Sequence, residues 1–128
     1  FEGRVAIDKE LPTLDLVILT SISEAQPLVG LEAGAAGLPV ITTDVGCCDE
    51  LLNGRTPEDR ALGPGGLITP IASPGETAKA VMQLYEDEGL RKKMGKNLME
   101  RVKAYYDQGD MVGSYRDVYR TQLERTVV

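Results

Sequence analysis

Residues 14–43 read LDLVILTSISEAQPLVGLEAGAAGLPVITT, and the fold follows from this stretch. Residues 14–20 form a nearly continuous apolar run, interrupted only by Asp15 before it ends at Thr20, the pattern of a short strand covered on both faces. Residues 39–43, PVITT, are β-branched and read as a second strand. Between them, residues 27–36 read as a helix. Pro27 suits the first helical position, where its missing N–H has no intrahelical partner in any case. Gly37 supplies the left-handed residue that ends the helix. A strand, a helix and a second strand in this order predict a right-handed parallel crossover.

Outward from this unit, residues 48–52 read as a short helix stopped by Asn53-Gly54, and residues 66–69, GLIT, as a third strand. The loop 54–65, with Arg55, Glu58, Asp59 and Arg60, reads as solvated, the alternative being a Gly-rich loop beside a strand end that lines a ligand. Ser73-Pro74-Gly75-Glu76 is a capping box that opens a helix carrying Ala78, Val81, Met82 and Tyr85 at helical spacing. Leu90, Met94, Leu98 and Val102 stripe a second helix that ends near Gly109. Asp110 caps a third, with Met111, Tyr115, Val118, Tyr119 and Leu123 on one face. These stripes are read as packing surfaces. The predicted fold class is α/β, a Rossmann-like parallel sheet with flanking helices. Three strands are few beside the roughly six of a doubly wound sheet. Together with a start at Phe1 in what reads as a strand end, this predicts a piece of a longer protein whose other strands precede Phe1.

Composition narrows the function. At 128 residues the chain suits one domain, and 42% hydrophobic with 27% charged residues is an ordinary globular balance. Fourteen basic against twenty acidic residues, net −6, leave no basic stripe for a nucleic-acid backbone. The absence of His excludes Ser-His-Asp and Cys-His catalysis and most zinc sites within this chain. Cys47 and Cys48 are neighbours, which suits neither a disulfide framework nor a metal site. They are read as small buried side chains in a reducing compartment. No apolar run approaches the ~20 residues of a membrane helix, and no signal peptide opens the chain. The expected location is cytoplasmic.

The chemistry concentrates where the first strand turns into the first helix, the position at which open α/β sheets bind ligands. Ser21 and Ser23 offer hydroxyls, Glu24 lies in the turn, and Pro27-Leu28-Val29 begins the helix. The free amides of Leu28 and Val29 and the helix dipole suit phosphate oxygens. Carboxylates repel phosphate and accept hydrogen bonds from vicinal sugar hydroxyls. Glu24 and Glu32 therefore suit the two ends of a nucleoside diphosphate sugar. At ~1.5 Å rise per residue, Glu32 lies about 8 Å along the axis from the turn.

The pattern Ser-x-x-Glu-x7-Glu-Ala-x-Ala-x-Gly-x-Pro-Val, here Ser21 to Val40, resembles the donor-site signature of retaining family-4 glycosyltransferases of GT-B architecture. Thr43-Asp44-Val45-Gly46 and Glu50-Leu51 resemble that family's next strand, Gly turn and short helix. The resemblance implies that residues 1–107 are a truncated nucleotide-sugar-binding domain and 108–128 its closing helix. It implies that Glu32 accepts from ribose hydroxyls, that Glu24 contacts the transferred sugar, and that the Leu28 and Val29 amides hold the diphosphate. Ser23 and Gln26 are weaker candidates in the same turn. It further implies transfer of a hexose, glucose from UDP-glucose, to a growing polysaccharide, with no cofactor and no metal. Implied partners are the nucleotide-sugar donor, an N-terminal acceptor domain and membrane-associated polysaccharide synthesis components. One departure is Ala25-Gln26-Pro27, where many members have Gly-Phe-Gly, because Pro27 has no amide to donate. The alternative function is a non-catalytic nucleotide-sugar-binding or interaction module. A nucleotide-sugar 2-epimerase fits poorly without His.

Overall fold

The computed structural model describes residues 3–126. Three short strands, β1 (Val17–Leu19), β2 (Val40–Thr43) and β3 (Gly66–Thr69), form one sheet in the order β1-β2-β3. Both pairings are parallel, with Val17 opposite Val40 and Val40 opposite Gly66. Helix α1 (Ile7–Glu10) and a 3-10 turn (Leu11–Thr13) precede β1. Helix α2 (Leu28–Ala35) makes the first crossover. Helices α3 (Cys48–Asn53) and α4 (Pro57–Arg60) lie in the second, and α5 (Pro74–Glu86), α6 (Glu88–Tyr105) and α7 (Gln108–Thr126) follow β3. The α/β Rossmann-like class predicted from residues 14–43 is the observed one.

Strand alternation divides the core. Val40 faces one side with Leu11, Ala33, Leu38, Leu51, Leu52 and Leu98. Its neighbour Ile41 faces the other with Ala80, Leu84 and Met94. The first layer carries α2, α3 and part of α6, and the second is covered by α5 and the start of α6. Helices α2 and α6 cross closely because glycines line the crossing. A Cβ on Gly34 would sit 2.8 Å from Leu98 Cγ, and one on Gly95 would meet the Gly37 carbonyl.

Several expectations are corrected. Strand β1 is not covered on both faces: Ile18 is 45% exposed, because it points to the side where α5 covers β2 and β3. Pro27 precedes α2 as its N-cap rather than starting it, while Gly37 has the expected positive φ of 76°. Helix α5 begins at Pro74 without the box, since Ser73 caps with no side-chain bond and Glu76 instead pairs with Lys79 at 2.6 Å. Helix α6 stops at Tyr105 rather than near Gly109. Asp107, not Asp110, caps α7, its Oδ1 accepting from the Gly109 amide at 2.7 Å. Cys48 is buried as expected, but Cys47 is half-exposed.

In the loop 54–65, Arg55, Glu58 and Arg60 are exposed as expected, and the correction concerns Asp59. Thr56 caps α4 by accepting from the Asp59 amide, and Asp59 is buried. Its carboxylate meets the wholly buried guanidinium of Arg101, Nε donating to Oδ1 at 2.5 Å. Arg101 also donates to the carbonyls of Leu52 (2.7 Å), Asp59 (2.9 Å) and Gly63 (2.9 Å). The other carboxylate oxygen accepts from the Arg55 amide at 2.9 Å. Each of the three nitrogens of the buried guanidinium thus has an acceptor, the condition under which a buried charge is tolerated.

The apolar face of α7 does not pack as expected. Met111, Tyr115, Val118, Tyr119 and Leu123 are all exposed. No helix among the described residues is long and apolar enough to cross a membrane.

Candidate functional site

The segment between β1 and α2 is held from three directions. The Ser21 hydroxyl donates to Glu24 Oε1 at 2.7 Å, closing a local ring across three residues. The Thr43 hydroxyl, at the carboxyl end of β2, donates to the Ser21 carbonyl at 2.5 Å. The Cys47 amide donates to the Ala25 carbonyl at 3.1 Å. Gly46 makes this approach sterically possible. Its φ is +54°, and a Cβ there would collide with the Glu24 and Ala25 carbonyl oxygens. The loop that carries Glu24 is therefore seated on the turn after the neighbouring strand.

Helix α2 opens without a side-chain cap. The Gly30 amide donates to the Pro27 carbonyl at 3.0 Å, while Leu28 and Val29, at the first two helical positions, have no intrahelical acceptor. Leu28 is 71% exposed, so its turn faces solvent. An N-terminal turn of this kind is a favourable place for an anion. Pro27, with no amide, offers the anion nothing.

The predicted residues are distributed as follows. Ser21 and Glu24 are bonded to each other, and Glu24 is half-buried. Ser23 is exposed in the same loop. Glu32 is exposed one helical turn after Leu28 and borders a groove of about 410 Å³ between α2 and residues 7–12. Gln26 is exposed on a different groove, of about 290 Å³, shared with Leu31, Tyr106 and Asp110. Along the chain Glu24 precedes the uncapped turn and Glu32 follows it, Glu24 bonded to Ser21 in the loop and Glu32 on the helix beside the groove toward residues 7–12. Gln26 faces away toward the α6–α7 junction.

A cavity of about 440 Å³ opens at the carboxyl ends of β1 and β2, bordered by Thr20, Ile22, Thr43, Thr77 and Val81. Its position matches the strand end at which open α/β sheets place ligands. Thr43 and Gly46 were missed as site residues. The signal available was weak: a hydroxyl at the last position of a β-branched strand, and a glycine three residues later.

The thiol beside the site is not an activated nucleophile. Burial, then the neighbouring Cys48 and Glu50, push the Cys47 thiol above its ordinary value. At neutral pH it stays protonated, and what reaches the loop is its backbone amide.

Residues 1–101 match the family described as glycosyl transferases group 1. Among curated proteins, the chain is 31% identical over 105 residues to an N-acetyl-alpha-D-glucosaminyl L-malate synthase of Bacillus anthracis, covering 82% of this chain and 26% of that protein. It is 36% identical over 83 residues to a D-inositol 3-phosphate glycosyltransferase of Paenarthrobacter aurescens (strain TC1), covering 64% of this chain and 18% of that protein. Among solved structures, it resembles a sucrose-phosphate synthase from Thermosynechococcus elongatus with TM-score 0.72 and 28% identity. That alignment covers 85% of this chain and 26% of the synthase. The chain therefore spans about a quarter of the length of these proteins or less.

Proposed function

The chain belongs to the glycosyl transferases group 1 family, and from that premise we propose that it is the donor-binding part of a retaining hexosyltransferase. The donor in this reading is a nucleoside diphosphate hexose, UDP-glucose, and the acceptor a growing polysaccharide. Within the family, LTSISEAQPLVGLEAGAAGLPVITTDVG, with RALGPGG behind it, resembles the soluble glucosyltransferase PelF of Pel exopolysaccharide synthesis. That resemblance supports the choice of glucose and of an exopolysaccharide product made in the cytoplasm. In the same reading, an acceptor domain and membrane-associated synthesis components are the transferase's partners, and residues 108–128 are the domain's last helix.

The observation that carries the proposal is the uncapped start of α2, with Glu24 four residues before Leu28 in the sequence and Glu32 four residues after it. The Leu28 and Val29 amides receive the diphosphate, Glu32 accepts from the ribose hydroxyls, and Glu24 accepts from hydroxyls of the hexose. Ser23 lies beside Glu24 within reach of the same sugar. Gln26 stays a weaker candidate of this turn; it borders the groove toward Tyr106, as Glu32 borders the one toward Ile7 and Leu11.

The transfer itself asks little covalent chemistry of the protein. The anomeric carbon–oxygen bond to the diphosphate breaks and a bond from the acceptor hydroxyl oxygen forms on the same face. The acceptor's proton passes to the departing phosphate oxygen. The chain's part is orientation of the sugar and stabilisation of charge on the leaving group by amide dipoles. Glu24 acts as an orienting acceptor in this scheme, not as a general base.

The test is calorimetric. Glu32→Ala should weaken UDP binding by about 1–3 kcal/mol, the scale of hydrogen bonds to a charged acceptor. Unchanged affinity in a folded variant overturns the ribose assignment.

A further inference from the structure

We propose that Ser21 is a positioning residue for Glu24, and that Thr43 sets Ser21 in turn. This deepens the function proposed above and rests on its assignment of Glu24 to the sugar. Ser21 Oγ donates to Glu24 Oε1 at 2.7 Å, and Thr43 Oγ1 donates to the Ser21 carbonyl. The chain of bonds runs from the end of β2 through the loop to the carboxylate.

A glutamate side chain in a loop has three rotatable bonds, and freezing them costs conformational entropy. A sugar hydroxyl that must order the carboxylate as it binds bears that cost. Here the Ser21 hydroxyl occupies one lone pair of Oε1 before any ligand arrives, which fixes the plane of the carboxylate. Oε2 is left to accept from the sugar. A carboxylate has about four acceptor positions, so one serine donor does not exhaust it. Thr43 is itself buried, at 3% exposure, so its hydroxyl is locked by packing. Gly46 and the Cys47 amide hold the following residues, Glu24 and Ala25, from the other side. The carboxylate is therefore referenced to β2, a paired strand, and not to the loop alone.

The test uses the intact transferase with UDP-glucose as donor and UDP as a ligand without the sugar. Ser21→Ala should lower kcat/KM for UDP-glucose about tenfold while UDP affinity stays within about twofold. Ser21→Thr, which restores the hydroxyl, should recover most of that loss. In a Glu24→Gln background, Ser21→Ala should add little, because a residue that acts through another is not additive with it. Thr43→Val should fall in the same direction as Ser21→Ala, with Thr43→Ser restoring activity. Thermal melting of each variant separates loss of fold from loss of position.

A full loss in Glu24→Gln with no loss in Ser21→Ala overturns the positioning role and leaves the sugar contact standing. No loss in either overturns both. An equal fall in UDP affinity and turnover for Ser21→Ala, or a loss that persists in full in the Glu24→Gln background, also overturns the proposal.

Discussion

Tyr106 shows how much of this domain's chemistry is set by burial. The residue follows the last turn of α6 and packs against the core layer that holds Leu51, Leu52 and Leu98. Its phenol is pushed up from an ordinary 10.0 to about 12, first by burial and then by Glu50, Cys47 and Asp59, with Arg101 opposing them. A phenol whose folded value lies above its unfolded value favours the folded state while it is protonated. That contribution is complete below pH 10 and is lost as pH rises from 10 toward 12. Tyr106→Phe should therefore flatten the dependence of the unfolding midpoint on pH across this window. It should also abolish the highest-pH step in the phenolate absorbance titration. A variant with the same steep alkaline loss as the parent would show that another group is responsible. At the same scale, the site was partly legible. The Ser21–Glu24 pair is written as neighbours three apart, but the Thr43 hydroxyl reaches Ser21 across twenty-two positions. Local spacing exposes the first bond and is silent on the second.

Among the elements, the two parallel crossovers were legible because their signals are local: apolar runs, β-branched residues, and a glycine with positive φ at the end of α2. The loop 54–65 was not. Its four charged residues among twelve read as solvated; three are exposed, and only the approach of α6 explains why Asp59 is buried. Its partner lies forty-two positions downstream. The helix α6 stripe of Leu90, Met94, Leu98 and Val102 marked a packing face correctly, yet Arg101, the most buried charged residue, sits beside that stripe and was passed over. Truncating one partner of such a pair strands the other in a low-dielectric interior. Asp59→Ala and Arg101→Met should each destabilise the fold by about 3–5 kcal/mol, read from urea unfolding midpoints. Arg101→Lys should not rescue, because an ammonium lacks the planar fork that reaches Asp59 and three carbonyls together. A loss below about 1 kcal/mol in both truncations would mean that water or a shifted α4 replaces the partner.

Across the whole molecule, buried apolar contact is concentrated between the sheet and helices α2, α3, α5 and α6. The two core layers draw from these elements, the first with Leu11 and Leu38 added, and α7 contributes no residue to either. Met111, Val112, Tyr115, Val118, Tyr119 and Leu123 are between 43% and 68% exposed, so α7 stabilises the described domain through little more than its first turn. Its start is fixed by Asp107, which accepts from the Gly109 and Asp110 amides, and Met111 and Ser114 border the groove that holds Tyr106. Hydrophobic stabilisation scales with area removed from water, about 25 cal/mol per Å². A helix that leaves its apolar face in water therefore adds little to the unfolding free energy. Deleting residues 108–128 should shift the unfolding free energy by less than about 1 kcal/mol, within the range of ordinary surface changes. The matching control cuts after Lys96, which removes Leu98 and Arg101 and should abolish cooperative unfolding. Circular dichroism melts of both truncations make the comparison. If losing residues 108–128 collapses the transition as the shorter cut does, the face of α7 is packed on the core in solution and the division of the molecule drawn here is wrong.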